Sequence, residues 1–122
     1  MRYVVIFEDS PAMRAVREQH EPAHLAYLEA NRDEIPMAGG LRGEHGGVYV
    51  GGLWVFEVAS KARAVELIEA DPYFVACPRA YRLLAWGKAL PHRSPFQSGD
   101  EPERSSVIGV GQDRSGGEGV AV

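Results

Sequence analysis

Three segments of this chain are apolar on both of their alternating faces, and this limits the fold more than any other feature. In residues 2 to 8, Tyr3, Val5 and Phe7 alternate with Val4 and Ile6. From Val48 to Val58, Leu53 and Val55 alternate with Trp54, Phe56 and Val58. From Tyr81 to Ala89, Leu83 and Ala85 alternate with Leu84 and Trp86. β-Branched and aromatic residues in runs of this kind read as strands. A strand facing water on one side shows polar residues there, so these strands need cover on both faces. Ile35 to Leu41 reads as a fourth, short edge strand that ends at a glycine turn, followed by a loop over Gly43–Gly47. Gly51-Gly52 marks a bulge in the longest strand.

Helices separate these strands. Ser10-Pro11 gives an N-cap followed by proline at the first helical position, which predicts a short helix from Ala12 to about Gln19. Proline within a helix costs about 3 kcal/mol, whereas in a first turn it costs little, so Pro22 predicts a restart. A second helix then runs from Pro22 to Arg32, with His24, Leu25 and Leu28 on its buried side. Ser60 caps a further helix to Ala70, whose buried stripe is Ala64, Val65, Leu67 and Ile68. Asp71-Pro72 stops it.

The order β-α-β-β-α-β predicts an α+β, ferredoxin-like fold: a four-stranded antiparallel sheet with its helices on one face. The other sheet face is apolar and has no helix to cover it. A symmetric homodimer, packing sheet on sheet, resolves this. The domain is expected over residues 1–90. Residues 91–122 turn rich in Pro, Ser, Gly and charged residues, and read as a C-terminal extension, a linker or arm. Within it, Val107-Ile108-Gly109-Val110 offers an extra edge strand.

The net charge of -4 gives no basic excess, so no nucleic-acid partner is expected. No apolar run is long enough to cross a bilayer, so no membrane partner is expected either. The N-terminal residues lack a cleavage signal, and the single cysteine, Cys77, excludes an internal disulfide. The expected location is cytoplasmic, with Cys77 a buried, inert thiol.

Candidate chemistry centres on His24, because a histidine side chain is a group that can move a proton near neutral pH. His20-Glu21-Pro22-Ala23-His24 matches the H-E-x-x-H pattern of zinc hydrolases literally. That chemistry needs both histidines on one continuous helix, and a helix restarting at Pro22 leaves His20 outside it. His45 and His92 supply no matching ligand pattern, so no metal is expected. Arg79 and Arg82 either solvate a strand edge or, if they face a pocket, suit an anionic ligand.

Taken in order, five stretches resemble the YciI-like family of dimeric α+β barrel proteins. They are Pro22-Ala23-His24-Leu25-Ala26-Tyr27-Leu28, Ala38-Gly39, Gly52 to Ala59, Ala64 to Ala70, and Asp71-Pro72-Tyr73. The resemblance implies a ferredoxin-like fold, a dimer and a His-Asp active-site pair, here His24 and Asp71. One branch of that family is similar to a dehydrochlorinase of chlorinated hydroxyquinols. The wider superfamily includes muconolactone isomerases and cofactor-free monooxygenases. This chain departs in having Glu21 where the family often has arginine, and Gly40 where it often has proline.

These readings lead to a small enzyme of isomerase or lyase type that needs no cofactor. His24 acts as general acid or base, and Asp71 sets its tautomer. Tyr27 and Tyr73 are expected as pocket walls, and the backbone at Gly39 and Gly40 as donors to a developing oxyanion. The alternative is a non-catalytic dimer that binds a small molecule or regulates a partner. A closed, dry pocket at His24 favours the binding module, and an open one with convergent polar groups favours the enzyme.

Overall fold

The computed structural model describes residues 1–87, so the extension and its strand at 107–110 lie outside the described residues. Seven elements follow one another: β1 (Arg2–Glu8), α1 (Met13–Ala30), β2 (Met37–Arg42), β3 (Tyr49–Glu57), α2 (Lys61–Ala70), α3 (Pro72–Ala76) and β4 (Ala80–Ala85). The strands form one antiparallel sheet in the order β2-β3-β1-β4. This is the ferredoxin-like α+β architecture.

The sheet sorts its apolar residues as the alternation requires. Tyr3, Val5 and Phe7 are buried on one face, and register places Phe56 opposite Tyr3 and Trp54 opposite Val5. Ala64, Leu67 and Ile68 of α2 join them in a single core, with Tyr27 and Leu28 of α1 packed against it. Phe7 meets Trp54 edge-on at 5.1 Å. Truncating an aromatic at such a position costs about 3–5 kcal/mol. The opposite face carries Val4, Ile6, Leu53 and Val55 in register. Beside them Met37, Leu84 and Trp86 remain 50%, 40% and 41% exposed.

The main departure from the sequence reading is α1. It is one helix of 18 residues with Pro22 inside it, not two. Pro22 removes one amide donor, but Pro22 and Glu18, whose carbonyl loses that donor, are both exposed residues where water is at hand. Packing supplies what propensity withholds: Met13 and His24 are buried along the helix, and Leu28 packs on the core. Leu25 is 42% exposed, because one step from His24 turns it about 100° out of the buried stripe. Ser10 does not cap the helix; its carbonyl accepts the Met13 amide at 3.0 Å, and the helix starts at Met13.

Other differences are local. Ser60 caps α2 as expected, its side chain accepting the Arg63 amide at 3.1 Å, although Val65 is only half-buried. Gly39 and Gly40 lie inside β2 rather than in a turn. The bulge falls one residue before the glycine pair, since Leu41 faces Gly51 and Arg42 faces Tyr49, leaving Val50 unopposed. β4 spans Ala80–Ala85, shorter than expected. Asp71-Pro72 ends α2, but Pro72 at once begins the short α3. Cys77 is half-buried, not buried, with its sulfur 3.9 Å from Ser10 Oγ. Among the described residues no helix is long and apolar enough to cross a membrane.

Candidate active site

His24 and Asp71, from α1 and the α2–α3 junction, meet in the interior. The imidazole Nδ1–H donates to Asp71 Oδ1 at 2.6 Å. His24 is 5% exposed and Asp71 0%. The placement of Asp71 follows from its neighbour. A residue before proline is pushed out of the helical region, and Asp71 sits at φ -64°, ψ 130°. It therefore ends one helix and precedes the next, with its side chain free to turn to α1. Its carboxylate caps neither helix through a side-chain hydrogen bond, and Oδ2 is buried without a partner. Its hydrogen bond goes to the histidine, while its charge is also felt by Tyr27, Tyr73 and Arg79.

Two residues later, Tyr73 stacks on the imidazole with ring centroids 3.8 Å apart and planes 9° from parallel. Trp54 lies at 6.4 Å from the same ring. Burial raises the Tyr73 phenol above its ordinary range, so it stays neutral at physiological pH. Tyr27 is also raised, by burial first and then by the charge of Asp71. Its hydroxyl donates to the Leu67 carbonyl at 2.7 Å. Tyr27 therefore ties α1 to α2 and lines neither of the cavities described next.

A small cavity touches His24, Arg17, Gly39, Gly40, Gly52, Trp54, Tyr73 and Arg79, and has room for one water-sized group, about 10 Å³. A cleft of about 460 Å³ adjoins it, lined by Asp9, Ser10, Arg14, Arg17, Glu18, Glu21, Val48 and Tyr49 among others. Arg17 and Tyr73 line both. Of the residues expected from sequence, His24, Gly39, Gly40 and Tyr73 thus share one cavity wall, and Asp71 stands directly behind His24. Gly40 makes room for Tyr49, because a Cβ there would lie 2.4 Å from that ring.

A cluster that the sequence reading missed lies beside them. Asp9 accepts from Arg79 Nη1 at 2.9 Å and from Arg17 Nε at 3.1 Å. Arg17 also donates to the Gly51 carbonyl at 3.0 Å. Arg17 stands seven residues before His24, two turns along one face, a spacing visible only if α1 runs unbroken through Pro22. Of the two arginines considered together from sequence, Arg79 faces the cavity, and Arg82 lies opposite Ile6 on the other side of the sheet.

The continuous α1 also removes the reason for placing His20 outside a helix. His24 nonetheless commits Nδ1 to Asp71, and no group of three or more His, Cys, Asp or Glu side chains able to hold a metal occurs among the described residues.

The solved structure of 5-chloro-2-hydroxyhydroquinone dehydrochlorinase (TftG) from Burkholderia phenoliruptrix AC1100, in complex with 2,5-dihydroxybenzoquinone, is similar to this chain. The TM-score is 0.66 at 27% identity, over 77% of this chain and 100% of that one. No curated protein matches the chain. The model of the YCII-related domain matches residues 1–87, which include every residue of the site, and by that match the chain belongs to the YCII-related domain family.

Proposed function

We propose that this protein is a small enzyme of lyase or isomerase type that moves a proton on a small ring compound without a cofactor. The observation that carries the reading is the buried His24–Asp71 hydrogen bond beside a polar cavity. Asp71 accepts from Nδ1, which fixes the tautomer and leaves Nε2 as the working base. Nε2 takes a proton from a carbon next to a ring carbonyl, and the C–H electron pair moves onto the carbonyl oxygen as an enolate. Return of the proton from the imidazolium to another ring carbon completes an isomerisation. Expulsion of a leaving-group anion from the enolate completes an elimination. Asp71 and the stacked Tyr73 face both stabilise the imidazolium formed in between.

The small cavity is far below the size of a ring. The ring therefore lies in the outer cleft, against Tyr49 and Tyr73, and only a substituent reaches inward. Convergent polar groups at this point, Arg17, His24 and Arg79, favour an enzyme over a passive binding module. The likeness to a dehydrochlorinase supports the elimination branch. The apolar outer sheet face, with Met37, Leu84 and Trp86 exposed, supports a homodimer through that face.

The test is turnover of a panel of hydroxylated ring acids, lactones and chlorinated hydroquinones, followed by ultraviolet absorbance. We expect at least one compound to be converted by the native protein and not by His24→Gln. Conversion at equal rates by both proteins would remove His24 from the chemistry.

A further inference from the structure

We propose that Arg79 and Arg17, held together on Asp9, form a subsite for one anionic oxygen at the inner end of the cleft. The ligand is then a planar ring carrying a carboxylate or an ionised hydroxyl. The binding claim stands on its own observations, and its catalytic consequence rests on the proton-transfer reading above.

Charge comes first. Two guanidinium groups share the Asp9 carboxylate. The other buried carboxylate nearby, Asp71, is engaged by His24. With His24 neutral, the two guanidinium groups and the two carboxylates balance, so what the cavity wall offers an anion is a convergence of cationic hydrogen-bond donors rather than an excess of charge. Buried charge is costly unless it is paired. Arg79 is 5% exposed, and its Nε is buried with no hydrogen-bond partner. Burial accordingly pushes the Arg79 pKa down from its ordinary value, with Asp9 and the charge of Asp71 only partly offsetting this. An incoming anion supplies the missing partner. In the outer cleft Arg14, Glu18 and Glu21 sum to one negative charge, so the cationic donors that can receive an anionic oxygen lie at the inner end.

Size and position agree. The space among Arg17, Arg79 and His24 admits one oxygen-sized group and no more. Proton removal by His24 would place the new negative charge on a ring oxygen within that space, where fixed donors act most strongly. The guanidinium groups, rather than the amides of Gly39 and Gly40, then carry this role.

The experiment is calorimetric titration of the full chain with benzoate, 4-nitrophenolate and benzamide, the last being a neutral match in shape to benzoate. We expect at least one of the two anions to bind about tenfold or more tightly than benzamide, and which one shows whether carboxylate or phenolate is preferred. Arg79→Met should abolish the preference, and Arg79→Lys should keep part of it. Gly52→Ala gives an arm that preserves the fold. A Cβ there makes ordinary contacts, 3.4 Å to the Gly39 oxygen and 3.7 Å to Arg79 Nη1, while occupying the cavity. It should weaken anion binding about tenfold. Equal affinity for anions and benzamide, no binding at millimolar concentration, or unchanged anion binding in Gly52→Ala would each overturn the proposal. His24→Gln should keep the anion preference. If it also keeps turnover, the catalytic reading fails and the anion site stands.

Discussion

Tyr73 lies flat on His24, 3.8 Å between ring centroids, while Asp71, two residues earlier, holds the edge of the same imidazole. Asp71-Pro72-Tyr73 thus grips one ring by edge and by face. Pro72 enables this by forcing Asp71 out of the helical region and then starting a new helix that carries Tyr73.

This grip predicts unequal losses. Asp71→Asn should lower kcat about 10²-fold or more, because an amide does not stabilise the imidazolium, and His24→Gln should lower it by about 10²–10⁴-fold. The double variant should be little worse than His24→Gln alone, since the two groups act as a unit. Full kcat in Asp71→Asn would rule out the pairing as functional.

Pro22 inside a continuous helix predicts a gain on its removal. Proline is about 3 kcal/mol worse than alanine in a helix interior. Pro22→Ala should therefore raise stability by about 1–3 kcal/mol, measured by urea unfolding. A loss of stability would show that the helix is not continuous in solution.

Two glycines should respond differently. At Gly51 a Cβ would sit 2.1 Å from the Phe7 carbonyl oxygen, part of a paired strand that cannot give way. Gly51→Ala should cost about 1–3 kcal/mol or more. At Gly40 the obstacle is the Tyr49 ring, which is 39% exposed and can swing outward. Gly40→Ala should keep the midpoint of unfolding near that of the native protein while changing ligand affinity in the cleft. Thermal melts and titrations of both variants separate these outcomes.

Arg63 donates to Glu34 at 2.8 Å and holds its carboxyl below the usual range. A carboxyl lowered by folding contributes stability above its unfolded pKa and loses it as pH falls through the lowered value. The stability gap between native protein and Glu34→Gln should be constant at neutral pH and close below the ordinary carboxylate pKa. Both side chains are a third or more exposed, so the gap should be small and shrink in salt. A gap that widens in acid would contradict the sign.

The exposed outer-face residues predict a self-association surface. Leu84→Glu should convert a dimer to a monomer in sedimentation while leaving the circular dichroism spectrum unchanged. A native protein that is monomeric at all concentrations would refute the homodimer.

The sequence by itself determined the four strands in their order along the chain and the Ser60 cap, but not the single α1 or the short α3. These depend on alternation and on capping chemistry, which act over a few residues. Its likeness to a family joined His24 to Asp71. Tertiary structure decided the rest. Local propensity breaks α1 at Pro22, and only burial of its face against the sheet and α2 makes one helix the better solution. That continuity brings Arg17 to the face of His24. The Asp9–Arg17–Arg79 cluster joins the loop after β1, α1 and the approach to β4, with Asp9 and Arg79 70 positions apart. No periodicity relates residues so far apart. Closure of the sheet, with β4 beside β1, creates their shared charge.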